Sequence, residues 1–169
     1  GLIFLAGHGA LYDRRYFFIP YDIRGRREAE WYASSITDKD IASFVKKLPS
    51  RLFVAMDTCF SGGLVGDDVS TIGDLLKQAT ARLFLFGATD QQTALDGIKD
   101  HGVFTGVLLD GLVGRADGDR DGEVDAMEAI LFTQKKVPEA AKQVGKGHRQ
   151  TPQFFGTYTE TYALRRVAP

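Results

Sequence analysis

The stretch RLFVAMDTCFSGG, residues 51–63, sets five apolar residues, Leu52 to Met56, ahead of Asp57, Thr58 and the only cysteine of the chain, Cys59. A run this short, with no helical period and ending in small residues, reads as a buried strand over 51–57 that releases Cys59 into a turn. The opening GLIFLAGHG repeats the arrangement, with a strand over 1–6 running into Gly7, His8 and Gly9. Two further apolar runs predict strands over 82–88 and 153–159. Helical patterns separate them. TDKDIASFVKKL starts on a Thr37 or Asp38 cap and sets Ile41, Phe44, Val45 and Leu48 on one face, with Pro49 beyond its end. DVSTIGDLLKQAT (68–80), VFTGVLLDGLVG (103–114) and AMEAILFTQKKVPEAAKQV (126–144) are the others. Strands alternating with helices predict an α/β fold, a mostly parallel sheet with helices on both faces.

The remaining segments join these elements. ALYDRRYFFIPYDIRGRREAEWYAS, residues 10–34, reads as a hairpin followed by a surface loop, and GKGHRQTPQ as a polar connection into the last strand. With 169 residues and 44% hydrophobic composition, one domain over 1–169 with a real core is expected. The formal net charge of -1, from 21 basic and 22 acidic residues well mixed, leaves no electrostatic footprint for nucleic acid or an anionic membrane. A single cysteine makes no internal disulfide, and no apolar run approaches the roughly 20 residues that span a bilayer. The expected setting is a reducing, cytoplasmic one. A chain that opens directly on an apolar strand leaves a sheet edge uncovered, which predicts a fragment of a longer protein.

In parallel sheets the side chains that act on ligands gather beyond the carboxyl ends of the strands. If the first two strands are neighbours, His8 and Cys59 meet there. An imidazole beside a thiol favours the nucleophilic thiolate and can later protonate a leaving amine. Gly9 and the backbone of Cys59 could direct N–H groups at a developing oxyanion. Taken singly, Cys59 reads first as a buried small hydrophobe and His8 as a satisfied core histidine. Together, 51 residues apart, they fit a peptidase pattern in which the histidine lies roughly 50 residues upstream of the cysteine. Ser61 lacks the glycine two positions earlier that a serine nucleophile elbow requires.

These motifs resemble those of the caspase-like (clan CD) cysteine peptidases, above all the metacaspase and bacterial caspase-homologue branches. Gly7-His8-Gly9 is similar to the family's histidine motif and Asp57-Thr58-Cys59-Phe60-Ser61-Gly62-Gly63 to its cysteine motif. ATDQQTALD and HGVFTGVLLDGL are similar to the stretches that follow, so the likeness runs along the whole chain. The resemblance implies the caspase-hemoglobinase fold, apparently lacking the two strands and helix that the family places before its histidine strand. It implies a His8 and Cys59 dyad with no third catalytic residue and no cofactor required for the chemistry. Asp57 stands where caspases carry glutamine, which implies arginine or lysine at P1, the residue before the scissile bond; otherwise Asp57 orients a loop. Metacaspases often have serine where Ala6 stands. Asp90 follows the third strand and either lines a substrate subsite or caps a turn.

DGDRDGEVDAME, residues 117–128, matches the EF-hand calcium loop position by position. Asp117, Asp119 and Asp121 hold the first, third and fifth places, Gly122 the sharp turn, Glu123 the carbonyl position, Asp125 the ninth and Glu128 the twelfth. Calcium bound here would be a structural clip; the other reading is a solvated acidic connection. His101 and His148 read as surface or capping residues. No role is assigned to Trp31, Tyr32 and the Arg24 to Arg27 tip.

The resulting expectation is a cysteine endopeptidase acting on a protein or peptide, with the missing N-terminal part or fused domains as further partners. A non-catalytic calcium-binding regulatory domain is the alternative from another class. Ligation through the same acyl-enzyme is a second enzymatic option.

Overall fold

Seven consecutive residues, Leu52–Thr58, form β4, and all seven are buried. A strand is buried at successive positions only when both faces of its sheet are covered. The computed structural model describes residues 1–13, 15–24, 27–48, 51–59, 82–88, 96–98, 101–144, 147–157 and 161–167, with backbone alone at 28, 96–98 and 157. Among these, β1 (Leu2–Tyr12), β2 (Arg15–Ile19), β3 (Ile36–Thr37), β4, β5 (Arg82–Phe86) and β9 (Gln153–Thr157) make a six-stranded sheet in the order β3-β2-β1-β4-β5-β9. The central β1, β4 and β5 are parallel, whereas β2, β3 and β9 run antiparallel to their neighbours.

Alternation along the central strands sorts the core into two layers. Phe53, Ala55, Leu83 and Leu85 face α3 (Val103–Asp110) and α4 (Ala126–Val144). Val54, Met56, Phe84 and Phe86 face the other way, onto α2 (Asp38–Lys46) and Tyr16 of β2. Helices therefore cover both faces, as the alternating pattern predicts. Each fully buried Phe or Leu contributes roughly 1.5–3 kcal/mol. On the first of these faces Leu2 and Phe4 of β1, in register with Phe53 and Ala55, remain 50% and 40% exposed.

Several expected bounds change. The first strand does not stop at residue 6: it pairs with β4 through Gly7, then exchanges that partner for β2 from His8 to Tyr12. The hairpin of residues 10–34 supplies this second partner, turning at Asp13. The expected surface loop after it contains a six-residue helix, α1 (Glu28–Ala33), at whose start Arg27 N donates to Glu30 Oε2. α2 begins on the expected Thr37 cap, with Thr37 Oγ1 accepting from Asp40 N and Asp40 Oδ2 accepting from Thr37 N. Its buried face, however, is Asp38, Ile41, Ala42 and Val45, and Phe44 is 55% exposed. The stripe centres on Ala42 and Val45, which leaves Phe44 on its rim. Arg15 forms an ion pair with the buried Asp38 at 2.6 Å and fastens α2 to β2.

α3 leads into a π-helical turn, Gly111–Arg115, in which Ala116 N donates to Gly111 O. Two minor sheets complete the fold: β6 (Asp96–Ile98) with β7 (His101–Gly102), and β8 (Glu123–Asp125) with β10 (Ala163–Arg166). The helix expected over 68–80 lies outside the described residues. No helix among the described residues is long and apolar enough to cross a membrane.

Candidate active site

The register of β1 on β4 is constant. Leu2 lies opposite Phe53 and Gly7 opposite Thr58, an offset of 51 residues at both ends of the ladder. The same offset separates His8 from Cys59, so each of these follows directly on the last paired position of its strand. Neighbouring strands lie about 4.8 Å apart, so the two residues leave that ladder from adjacent positions. His8 is exposed and Cys59 half-buried. His8 nevertheless does not sit at the end of its strand, because the hairpin ladder from His8 to Tyr12 carries β1 onward.

Gly9 is in closer contact still. A β-carbon there would come within 2.3 Å of the Cys59 carbonyl oxygen, 2.7 Å of the Tyr16 hydroxyl and 2.9 Å of Tyr16 Cε2. Only glycine fits between a backbone oxygen and a buried ring at those distances. The segment after the histidine and the segment at the cysteine thus touch through bare backbone.

Side chains on the two faces of β4 hold its end from opposite sides. Asp57 is 7% exposed, and its Oδ2 accepts hydrogen bonds from both the backbone N and the hydroxyl of Thr105, in the first turn of α3. A carboxylate at a helix N-terminus satisfies amides that have no partner within the helix. On the other face, Tyr16 Oη and Thr58 Oγ1 share a hydrogen bond of 2.5 Å, with both residues fully buried. Burial holds the Tyr16 phenol well above its ordinary ionisation range. Behind Asp57, the buried Gln150 donates from Nε2 to Gly87 O at 2.9 Å and ties the approach to β9 onto the end of β5. An imidazole and a thiol flanked by glycine backbone, on a floor clamped by Asp57, Thr58 and Tyr16, can carry nucleophilic attack on a carbonyl.

The caspase-domain family profile matches residues 1–162. The chain belongs to the caspase-domain peptidases. Membership in this caspase family supports a cysteine peptidase and implies protein substrates. Comparison with curated protein sequences gives no match. Among solved structures, the chain is similar to a crystallised protein from Geobacter sulfurreducens, with 17% identity over 94% of this chain and 67% of that one and a TM-score of 0.47.

Of the residues the caspase-like motifs single out, His8, Gly9, Asp57 and Cys59 lie where the ladder between β1 and β4 ends. Asp90 and Ser61 lie outside the described residues. The acidic loop is a separate centre beyond α3. One carboxylate oxygen from each of Asp117, Asp119 and Glu128 lies within 4.8 Å of the others. The side-chain oxygens of Asp121, Glu123 and Asp125 do not join that group: Asp121 Oδ1 accepts from Glu123 N, Glu123 Oε1 from Arg166 Nε, and Asp125 Oδ1 from Glu128 N. The last bond is half of a capping box, because Glu128 Oε2 accepts from Asp125 N at 3.0 Å. Gly122 takes φ +85 at the sharp turn, where a side chain would be strained. Asp117 Oδ1 is shielded from solvent and makes no hydrogen bond among the described residues. The other oxygen, Oδ2, accepts from Gly122 N, and hard oxygens around the one left without a partner fit a calcium ion.

Tyr16, Thr105 and Gln150 escape a reading of the sequence. A threonine two residues after the start of a helix that follows Gly102 is a faint sign of a capping partner; a tyrosine in an aromatic hairpin and a glutamine in a polar connection carry no sign of burial.

Proposed function

We propose that the chain is a cysteine endopeptidase in which His8 and Cys59 form the catalytic dyad. The constant register of β1 on β4, whose last pair Gly7 and Thr58 immediately precedes His8 and Cys59, supports the reading. His8 takes the proton of the Cys59 thiol, and the thiolate attacks the scissile carbonyl carbon. The carbonyl π electrons move onto oxygen, which receives hydrogen bonds from the backbone N–H groups of Gly9 and Cys59. As the intermediate collapses, the C–N bond breaks and His8 gives its proton to the departing amine. Water, deprotonated by His8, then attacks the thioester and restores the thiol.

Asp57 draws arginine or lysine to P1, and Asp90, outside the described residues, is the further substrate-binding candidate. A carboxylate near the scissile bond accepts an arginine bidentately or a lysine as a point charge and repels an acidic residue. The Thr105 bonds to Oδ2 support this by fixing the carboxylate plane. Calcium at the 117–128 loop would tie Asp117, Asp119 and Glu128 together as a structural clip and takes no part in the chemistry; Asp121, Glu123 and Asp125 complete the acidic loop.

The test is cleavage of matched fluorogenic peptides ending in arginine, lysine or aspartate by the wild type and Cys59→Ala, with calcium and with chelator. The expected result is release after arginine and lysine that disappears in Cys59→Ala. Equal release by the variant overturns the assignment, and preference for aspartate overturns the role of Asp57.

A further inference from the structure

The reaction above makes no use of the most enclosed polar contact at the site. Tyr16 and Thr58 are each fully buried, and their hydroxyls are 2.5 Å apart. Three pieces of backbone converge on that pair. Thr58 immediately precedes Cys59, Gly9 immediately follows His8, and a β-carbon on Gly9 would strike both Tyr16 and the Cys59 carbonyl. The N–H of Cys59 belongs to the peptide plane whose carbonyl carbon is that of Thr58. Anchoring the Thr58 side chain therefore restricts rotation of the plane that carries this donor.

We propose that Tyr16 is a positioning residue for the peptidase reaction: through Thr58 it fixes the Cys59 N–H against the Gly9 N–H, so that both point at one oxyanion. The inference rests on the dyad reading and deepens it. Its elements are consistent with the fold. Tyr16 sits on β2, which grips the part of β1 that carries His8 and Gly9, while Thr58 ends β4, which leads to Cys59. The hydroxyl pair is the side-chain link between those two strands at the level of the reacting groups. Because the ring is buried among Val54, Met56, Phe84 and Phe86, it resists displacement. A donor aimed in advance at the oxyanion acts on the transition state and not on the bound substrate, so its loss appears in kcat.

The experiment compares wild type, Tyr16→Phe, Thr58→Val, Thr58→Ser and the double variant Tyr16→Phe/Thr58→Val. Tyr16→Phe retains the ring and deletes only the hydroxyl. Removing an oxyanion donor outright costs about 10²–10³ in kcat, and loosening one costs less, roughly 10- to 100-fold. Tyr16→Phe and Thr58→Val are each expected to lose kcat by that factor with KM within twofold, and the double variant to be no worse than either single one. Thr58→Ser, which keeps a hydroxyl, restores most of the rate. A peptide aldehyde, whose thiohemiacetal places an oxygen in the same position, should bind more weakly in step with kcat. Alkylation of Cys59 by iodoacetamide, which generates no oxyanion, should proceed at the wild-type rate.

If Tyr16→Phe keeps wild-type kcat, or loses iodoacetamide reactivity as fully as it loses cleavage, the positioning role is overturned while the dyad stands. If the wild type shows no Cys59-dependent cleavage, the dyad reading fails and the role of Tyr16 falls with it.

Discussion

Adding one methyl group at Gly9 perturbs the site at its tightest point. The new carbon in Gly9→Ala would lie 2.3 Å from the Cys59 carbonyl oxygen, 2.7 Å from the buried Tyr16 hydroxyl and 2.9 Å from its ring. Real contacts of this kind are not found below 3.0 Å, so backbone or ring must yield by about 0.7 Å at least. Neither is the free end of a flexible side chain. Overpacking of a closed site costs about 1–3 kcal/mol, which for a domain of this size lowers Tm by roughly 2–12 °C. The larger effect falls on cleavage. A displacement approaching 1 Å between groups that must meet in the transition state costs about 10²-fold, so kcat/KM should drop by that order at temperatures where Gly9→Ala is fully folded. Thermal melting and initial rates on an arginine peptide, measured on the same preparation, separate the two losses. A variant that melts and cleaves like the wild type would refute the contact between the histidine and cysteine segments, and with it the packing described for Tyr16.

Further outcomes are expected. Thr105→Val removes the hydroxyl that donates to Asp57 Oδ2; it should cost about 1.5–3 kcal/mol in urea unfolding and reduce the preference for arginine over a neutral P1 residue by about tenfold, and an unchanged preference would separate Asp57 from specificity. Thr37→Ala should cost about 1 kcal/mol at neutral pH by uncapping α2. The hydrogen bonds from the Thr37 hydroxyl and backbone hold the Asp40 carboxyl below its ordinary range, a stabilisation present above the unfolded-state value and lost as pH falls through the folded one. The difference in urea midpoint between Thr37→Ala and wild type should therefore shrink below about pH 4 to what the bond from Asp40 N contributes, and a gap undiminished at pH 2 would contradict the linkage. Calcium at 100 times its dissociation constant should raise stability by about 2.7 kcal/mol, and Asp119→Asn should abolish most of that gain; a wild-type melting curve indifferent to calcium and chelator would show the loop to be a plain connection.

The long apolar runs carried their structure legibly. Leu52–Met56 and Arg82–Phe86 read as buried strands because five consecutive apolar or amphipathic residues without helical period have little else to form, and 126–144 read as a helix with its observed bounds. The spacing of His8 and Cys59 held a register that could be counted but not proved, since nothing in a sequence states which strands are neighbours. What escaped was set by contacts distant in the chain. β1 runs past His8 only because β2 offers a second ladder, and Phe44 turns outward only because α2 docks through Ala42 and Val45. Tyr16 and Gln150 became enclosed through partners 42 and 63 residues away, a distance over which composition and periodicity carry no information.

The change of partner along β1 gives the two reacting groups unequal footing. The strand leading to Cys59 is buried throughout, whereas His8 belongs to a stretch, Ala6 to His8, that is exposed at every position. Backbone with few buried contacts opens at lower free energy than the core, often as a unit of supersecondary structure. No residue of β1 is fully buried, and its outer half from His8 to Tyr12 is such a stretch, held beside the buried Tyr16 of β2. Its amides should exchange with solvent by local opening while those of Leu52–Met56 wait for global unfolding. Heating would then unhitch the histidine before the cysteine strand melts, and cleavage would fade below the melting temperature of the core and return on cooling.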